Sequence, residues 1–289
     1  MGPAARQSDH YATPMSTAAP GRDLADGKLL VDRPAAGVVR LTISNPDKRN
    51  ALDHPILDAI TATLGELADT TGETRCVVVT GAGGVFSAGY DIGEIPDTEF
   101  QQRAEALVAH PFTAAIDALQ AFPWPTVAAL PGHTIGGGLE LALACDLRVA
   151  REGIKLGMPP AKLGLVYSHT GLRRFIDAIG AARTRELFLL GSYIDVPTAL
   201  LWGLVNRVVP AARLEAVTLE LAGQLAGNAP LSQLGNKRVI AALLSAEGSL
   251  DDDVEQELIE LRRASFESRD LREGMSAFTE KRAPRWRGE

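Results

Sequence analysis

Beyond residue 27 the chain alternates short β-branched apolar runs with stretches whose apolar residues recur at helical spacing. Leu29–Val31 and Val38–Ile43 predict a first pair of strands, with the turn between them at Pro34–Gly37. Asp53 is placed to cap a helix whose Ile56, Leu57, Ile60, Leu64 and Leu67 share one face. Cys76–Thr80, bounded by Arg75 and Gly81, is the kind of apolar run expected of a strand buried on both faces. A helix is expected over about 98–121, ended by Pro123 and Pro125. Thr126–Leu130 is a second buried strand, followed by Pro131, Gly132 and the triplet Gly136, Gly137, Gly138. Leu139–Cys145 reads as a helix that is apolar except for Glu140, and Asp146–Ala150 and Ile154–Leu156 as further strands. From about residue 170 helical patterns dominate, over 171–179, 182–190, 196–202, 211–227, 231–245 and 251–283. Strands first and helices last predict an α/β core with a helical C-terminal layer. The recurring strand-strand-helix units of the first half fit a spiral of stacked turns.

Composition narrows the class without changing that picture. At 289 residues, 46% hydrophobic and 22% charged, the chain has ample apolar material for a core without cross-links or structural metal. Twenty-nine basic against 36 acidic residues, a formal charge of -7, argue against a nucleic-acid binder. No stretch approaches the roughly 20 apolar residues of a membrane span. Cys76 and Cys145 lie in apolar stretches without CxxC spacing, as expected of reduced core thiols in a cytoplasmic protein. Residues 1–27, rich in Ala, Pro, Ser and Gly, are expected to form a disordered tail without the apolar region of a secretory signal. The Met1-Gly2 start does not continue as a myristoylation motif, because position 6 is Arg6, and Met15 is an alternative start.

Several familiar chemistries find no support. Gly81-Ala82-Gly83-Gly84 follows a strand, but Phe86 replaces the third glycine of a dinucleotide fingerprint. There is no GxSxG elbow, no phosphate loop and no HExxH zinc motif. His133 and His169 sit near interesting loops, where each is either a catalyst or an ordinary packed side chain. Two glycine-bearing loops after buried strands remain: Val85–Asp91 and His133–Glu140. Their glycines either serve tight turns or let backbone N–H groups face a cavity at a helix start. Two such N–H groups form an oxyanion hole. Glu140, in the first turn of an apolar helix, is either a carboxylate stabilised by the helix dipole or one facing a polar cavity.

Over nearly all of residues 28–289 the sequence resembles the enoyl-CoA hydratase/isomerase, or crotonase, superfamily. The resemblance rests on NPDKRNAL at 45–52, FSAGYDI at 86–92, GGGLELALACD at 136–146 and GMSAFTEKR at 274–282. It implies a crotonase-like spiral of ββα turns over 28–210, and a helical oligomerisation and CoA-contacting region over 211–289. It also implies assembly as a homotrimer or homohexamer, and an acyl-CoA thioester as substrate; because the thioester serves as its own electron sink and the sequence shows no metal-ligand cluster, no further cofactor and no metal are expected. On the matching positions, Tyr90 and Gly137 N–H would hold the thioester oxygen. Lys48, Arg49, Ala51, Ala88, Asp91 and Ile92 would line the CoA channel, and Phe278 and Lys281 resemble residues that contact CoA across a subunit boundary.

One departure bears on the reaction. Glu140 matches the first catalytic glutamate of hydratases, but Pro160 stands where the second is expected. Water addition normally uses two carboxylates, and proline cannot move a proton. Within the superfamily the bacterial methylmalonyl-CoA decarboxylases look more similar, through VFSAGYDIGEIP at 85–96, LGLVY at 163–167 and the run from Leu261 to Pro284. The resemblance puts Tyr167 near the substrate carboxylate, and Tyr90 replaces a histidine of the best-known member. The expected activity is decarboxylation of methylmalonyl-CoA or a similar malonyl-type thioester. Hydration of a 2-enoyl-CoA by Glu140 alone, or non-catalytic acyl-CoA binding, are the alternatives.

Overall fold

The computed structural model describes residues 21–69, 73–91, 111–246 and 252–285. Its elements in chain order are β1 (Arg22–Leu24), β2 (Leu29–Ala35), β3 (Val38–Ile43), α1 (His54–Asp69), β4 (Cys76–Gly81), α2 (Thr113–Ala121), β5 (Thr126–Leu130), β6 (Thr134–Ile135) and α3 (Gly137–Ala144). Then come β7 (Leu147–Arg151), β8 (Lys155–Gly157), α4 (Pro160–Leu163), α5 (His169–Leu190), β9 (Tyr193–Asp195), α6 (Val196–Trp202) and β10 (Arg207–Val209). The chain ends with α7 (Leu214–Gly227), α8 (Pro230–Ala246), α9 (Asp252–Glu267) and α10 (Arg269–Thr279).

A seven-stranded sheet runs in the order β1-β2-β3-β4-β5-β7-β10, antiparallel over its first three strands and parallel from β3 onward. A smaller sheet, β6-β8-β9, is extended by the bridges Ser87 to Thr134 and Leu52 to Tyr90. Successive turns of chain thus place one strand in the large sheet and one extended segment beside the small sheet, which is the expected spiral. Both faces of the large sheet are covered. Val77, Val79, Ala128 and Leu130 face the main core with α1, α2 and α3, while Cys76, Val78, Val127 and Ala129 face Leu214, Leu221 and Ala222 of α7. Two-sided burial is why β4 and β5 read as continuous apolar runs and not as alternating ones.

Several expectations are corrected. Residues 22–24, placed in a disordered tail, form β1 against β2. β2 continues through Pro34 because the register shifts between Asp32 and Ala35, so the turn falls later than expected. The boundary at 210/211 would assign α7 to an oligomerisation region, yet α7 covers the sheet. The helices expected at 171–179 and 182–190 are found, on either side of a kink at Gly180 (φ 76°) within α5, whereas the helix expected over 251–283 is broken at Ser268, whose hydroxyl caps α10 by accepting from Leu271 N–H. Of the helix expected at 98–121 only the part from Thr113 lies within the described residues. Among the described residues no helix is long and apolar enough to cross a membrane.

Candidate active site

The 45–52 segment acts as a clasp. Pro46–Lys48 makes a short 3-10 turn, and Arg49 and Asn50 both take positive φ to reverse the chain. Fully buried Asn50 donates to Ala82 O (2.9 Å) and Val85 O (2.8 Å) and accepts from Asn45 N–H (2.8 Å). The clasp then grips the first glycine loop through Ala88 N–H to Arg49 O, Leu52 N–H to Gly89 O and Asp91 N–H to Leu52 O. Lys48 pairs with Asp91 at 2.8 Å.

The two glycine loops meet. Ile135 N–H donates to Ser87 O at 3.1 Å, and a Cβ built on Gly89 (φ 98°) would lie 3.2 Å from Gly137 N. Gly136, at φ 56° and ψ -129°, takes a conformation that glycine alone adopts without strain, and it turns the chain into α3. Gly137 is therefore the first residue of a helix, whose N–H has no intrahelical acceptor, and among the described residues no protein acceptor meets it. The Tyr90 ring lies over Gly137, where a Cβ would come within 3.0 Å of it, and packs edge-on against Phe112 with centroids 4.6 Å apart.

Glu140, 2% exposed, sits one turn into α3 and is the centre of a polar chain. One carboxyl oxygen accepts a short hydrogen bond from the Tyr167 hydroxyl, which lies 3.3 Å from the Tyr90 hydroxyl. The other accepts from Arg174 Nη1 at 3.1 Å. Arg174 is held in turn by Gln120 (3.0 Å) and Asp117 (3.2 Å) of α2. Burial pushes the Glu140 carboxyl above its ordinary value, while Tyr167 and then Arg174 pull it down. Burial prevails because the carboxyl is almost wholly removed from water, and the nearby Asp117 charge adds a smaller push in the same direction. Burial, followed by the Glu140 charge, holds the Tyr167 hydroxyl well above the ordinary phenol range. The result is a carboxyl that can hold a proton, in line with two hydroxyls, beside a helix-start N–H.

Of the residues expected at the site, Tyr90, Gly137, Glu140 and Tyr167 come together, and Lys48, Arg49, Ala51, Ala88 and Asp91 lie in the clasp and loop next to them. Ile92 lies outside the described residues. Phe278, 70% exposed, lies in the last turn of α10 and Lys281, at φ 54°, just beyond it; α10 packs on α4 and α9, and among the described residues no contact of either reaches the glycine loops. Pro160 is buried at the start of α4. His133 accepts from Lys155 N–H and His169 faces Glu255, so neither joins the chain around Glu140. Cys76 and Cys145 are buried, and burial pushes both thiols up to about 12. Among the described residues no cluster of His, Cys, Asp or Glu is arranged to hold a metal. Arg174 and the Tyr90 side chain escaped the sequence reading. A buried glutamate calls for a cationic partner, but nothing in the sequence picks Arg174 from the arginines of α5. Behind the chain, a groove of about 1220 Å³ is lined by Tyr167, Arg174, Leu143, Lys237 and Ile240 among others, without Tyr90, Gly137 or Glu140.

The spiral and the paired glycine loops define an enzyme class, and the comparisons agree with it. The chain belongs to the enoyl-CoA hydratase/isomerase family, whose model matches residues 33–289. It is 36% identical over 260 residues to a probable enoyl-CoA hydratase of Bacillus subtilis, covering 87% of this chain and 96% of that protein. It is 33% identical over 260 residues to the carnitinyl-CoA dehydratase of Salmonella typhi, covering 87% and 95%. Among solved structures, a methylmalonyl-CoA decarboxylase in complex with 2-nitronate-propionyl-CoA superposes with a TM-score of 0.81 at 29% identity, covering 91% of this chain and 99% of that one. An enoyl-CoA hydratase from Mycobacterium avium subsp. paratuberculosis gives 0.75 at 29% identity, covering 90% and 98%.

Proposed function

We propose that the protein is an acyl-CoA lyase that decarboxylates methylmalonyl-CoA or a similar malonyl-type thioester. The observation that carries this reading is the chain Glu140, Tyr167, Tyr90 alongside Gly137 N–H, in a chain with proline at position 160. The bond between the α-carbon and the carboxylate breaks, CO2 leaves, and the electron pair moves into the thioester, where charge collects on oxygen. Tyr90 and Gly137 N–H stabilise that oxyanion, aided by the α3 dipole; loss of one such donor costs about 2.7–4 kcal/mol of barrier. No base is needed before CO2 departs. With Glu140 protonated, its O–H turns to the Tyr167 oxygen, which frees the Tyr167 hydroxyl to bind the substrate carboxylate. Glu140 then delivers its proton to the α-carbon and regains one from solvent. The thioester is its own electron sink, so neither cofactor nor metal enters the scheme. Lys48, Arg49, Ala51, Ala88 and Asp91 line the CoA channel, and Phe278 and Lys281 reach CoA across a subunit boundary in a homotrimer or homohexamer.

The higher TM-score of the decarboxylase supports this choice. The hydratase and dehydratase names of the sequence relatives favour a second reading, hydration of a 2-enoyl-CoA by Glu140 with an ordered water. Separate incubations with methylmalonyl-CoA and crotonyl-CoA, analysed by mass, distinguish the two. Propionyl-CoA is expected; hydroxybutyryl-CoA alone refutes the decarboxylase, and two intact thioesters with measurable binding refute catalysis.

A further inference from the structure

Among the described residues, the charged or titratable groups around Glu140 are Tyr167 from the segment before α5, Arg174 from α5 and, beyond them, Tyr90 and Asp117. Of these, Arg174 is the cation in direct contact with it. Its side chain is only 13% exposed, and three separate nitrogens are committed: Nε to Gln120, Nη1 to Glu140 and Nη2 to Asp117. A planar guanidinium held at three points has little freedom left to rotate. The α5 surface is shaped for this contact one turn earlier. At Gly171 a Cβ would stand 2.5 Å from the Tyr167 ring and 3.0 Å from the Glu140 oxygen that Arg174 binds. A larger residue there would wedge apart the groups that meet.

We propose that Arg174 is a positioning residue: clamped by α2, it fixes the plane of the Glu140 carboxyl toward Tyr167 and through its charge weakens that carboxyl's hold on a proton. With one carboxyl oxygen tied to Arg174 and the other to Tyr167, the carboxyl cannot swing away from the substrate side. The charge lowers, alongside Tyr167 and against burial, the pH at which Glu140 changes from acid to carboxylate. The consequence for turnover rests on the reading of Glu140 as proton donor; the consequence for its titration does not.

The test therefore reads Glu140 directly in the full-length, unliganded protein, by infrared difference titration of its carboxyl, with Glu140→Gln assigning the band. An opposite charge in contact lowers a carboxyl by about 1–3 units. Arg174→Met and Arg174→Gln, both neutral, are thus expected to raise the proton affinity of Glu140 by about tenfold or more. Arg174→Lys, which keeps the charge and loses the fork, is expected to leave the midpoint near wild type while kcat falls and KM holds, with whichever thioester the enzyme turns over. An unchanged midpoint in the folded neutral variants overturns the proposal, and Arg174→Gln covers the case in which Arg174→Met does not fold. If the enzyme proves to be a hydratase, the midpoint shift is still expected, so failure of the reaction assignment and failure of this inference are separate results.

Discussion

Replacing Tyr167 by Phe removes one hydroxyl and almost no volume from a ring that is 9% exposed and packs edge-on against Phe188 with centroids 5.4 Å apart. The lost atom is the donor to Glu140 and the neighbour of the Tyr90 hydroxyl. A hydrogen bond to a charged group contributes about 1.5–3 kcal/mol and one between neutral groups about 0.5–1.5 kcal/mol. Because Glu140 leans toward its neutral form, the stability cost is expected near the lower range, about 1 kcal/mol. The catalytic cost is larger. Without Tyr167 the substrate carboxylate loses its orienting donor, and turnover of methylmalonyl-CoA should fall by more than about tenfold, or ~1.4 kcal/mol. Affinity for propionyl-CoA, which has no carboxylate, should stay at the wild-type level. Tyr167 is the foremost influence drawing the Glu140 carboxyl down, so its loss should also move the basic limb of the pH profile upward. Steady-state kinetics across pH, with propionyl-CoA as inhibitor, measure all three quantities. Wild-type turnover in the folded variant would refute the role given to Tyr167.

Three further outcomes follow from the same geometry. A carboxyl whose folded value lies above its ordinary 4.5 gives its full stability below 4.5 and loses it as pH rises through the folded value, so Glu140→Gln should gain in Tm relative to wild type as pH is raised above 4.5; parallel Tm curves contradict this. Asn50→Ala strips two carbonyls and one N–H of their buried partner and leaves alanine at φ 55°, and should cost at least about 3 kcal/mol in urea unfolding; an unchanged midpoint would show that the clasp bears no load. Lys281→Ala should weaken thioester binding more at low salt than at high salt with kcat preserved, and a change confined to kcat would displace Lys281 from the CoA site.

The parts of the fold that were legible in the sequence are those whose burial writes a pattern. β4 and β5 are apolar without interruption because both faces are covered, and α1 shows its buried stripe plainly, with Asp53 accepting from Ile56 N–H at 3.0 Å. Even the gap read between 179 and 182 marks a physical feature, the kink at Gly180. β6, β9 and β10 left no such trace, since strands of two or three residues are too short to show alternation. Pro34 misled because a proline in a strand is tolerated at an irregularity, and β2 has its register shift there. At the site, Gly137 and Glu140 were visible as a glycine triplet opening an otherwise apolar helix. The contacts of Glu140 with Tyr167 and Arg174 span 27 and 34 residues and depend on how α5 crosses α3, which no local pattern encodes.

The proposed decarboxylation replaces the carboxylate on the α-carbon by a solvent-derived proton, with no water added to the acyl chain. Its most direct test is to incubate the enzyme with methylmalonyl-CoA in deuterated water and follow the thioester by mass spectrometry. The expected product is propionyl-CoA carrying solvent deuterium at the α-carbon, formed at a rate proportional to enzyme and abolished in Gly137→Pro, which deletes one oxyanion donor. Methylmalonyl-CoA recovered intact by an enzyme that hydrates crotonyl-CoA under the same conditions would contradict it.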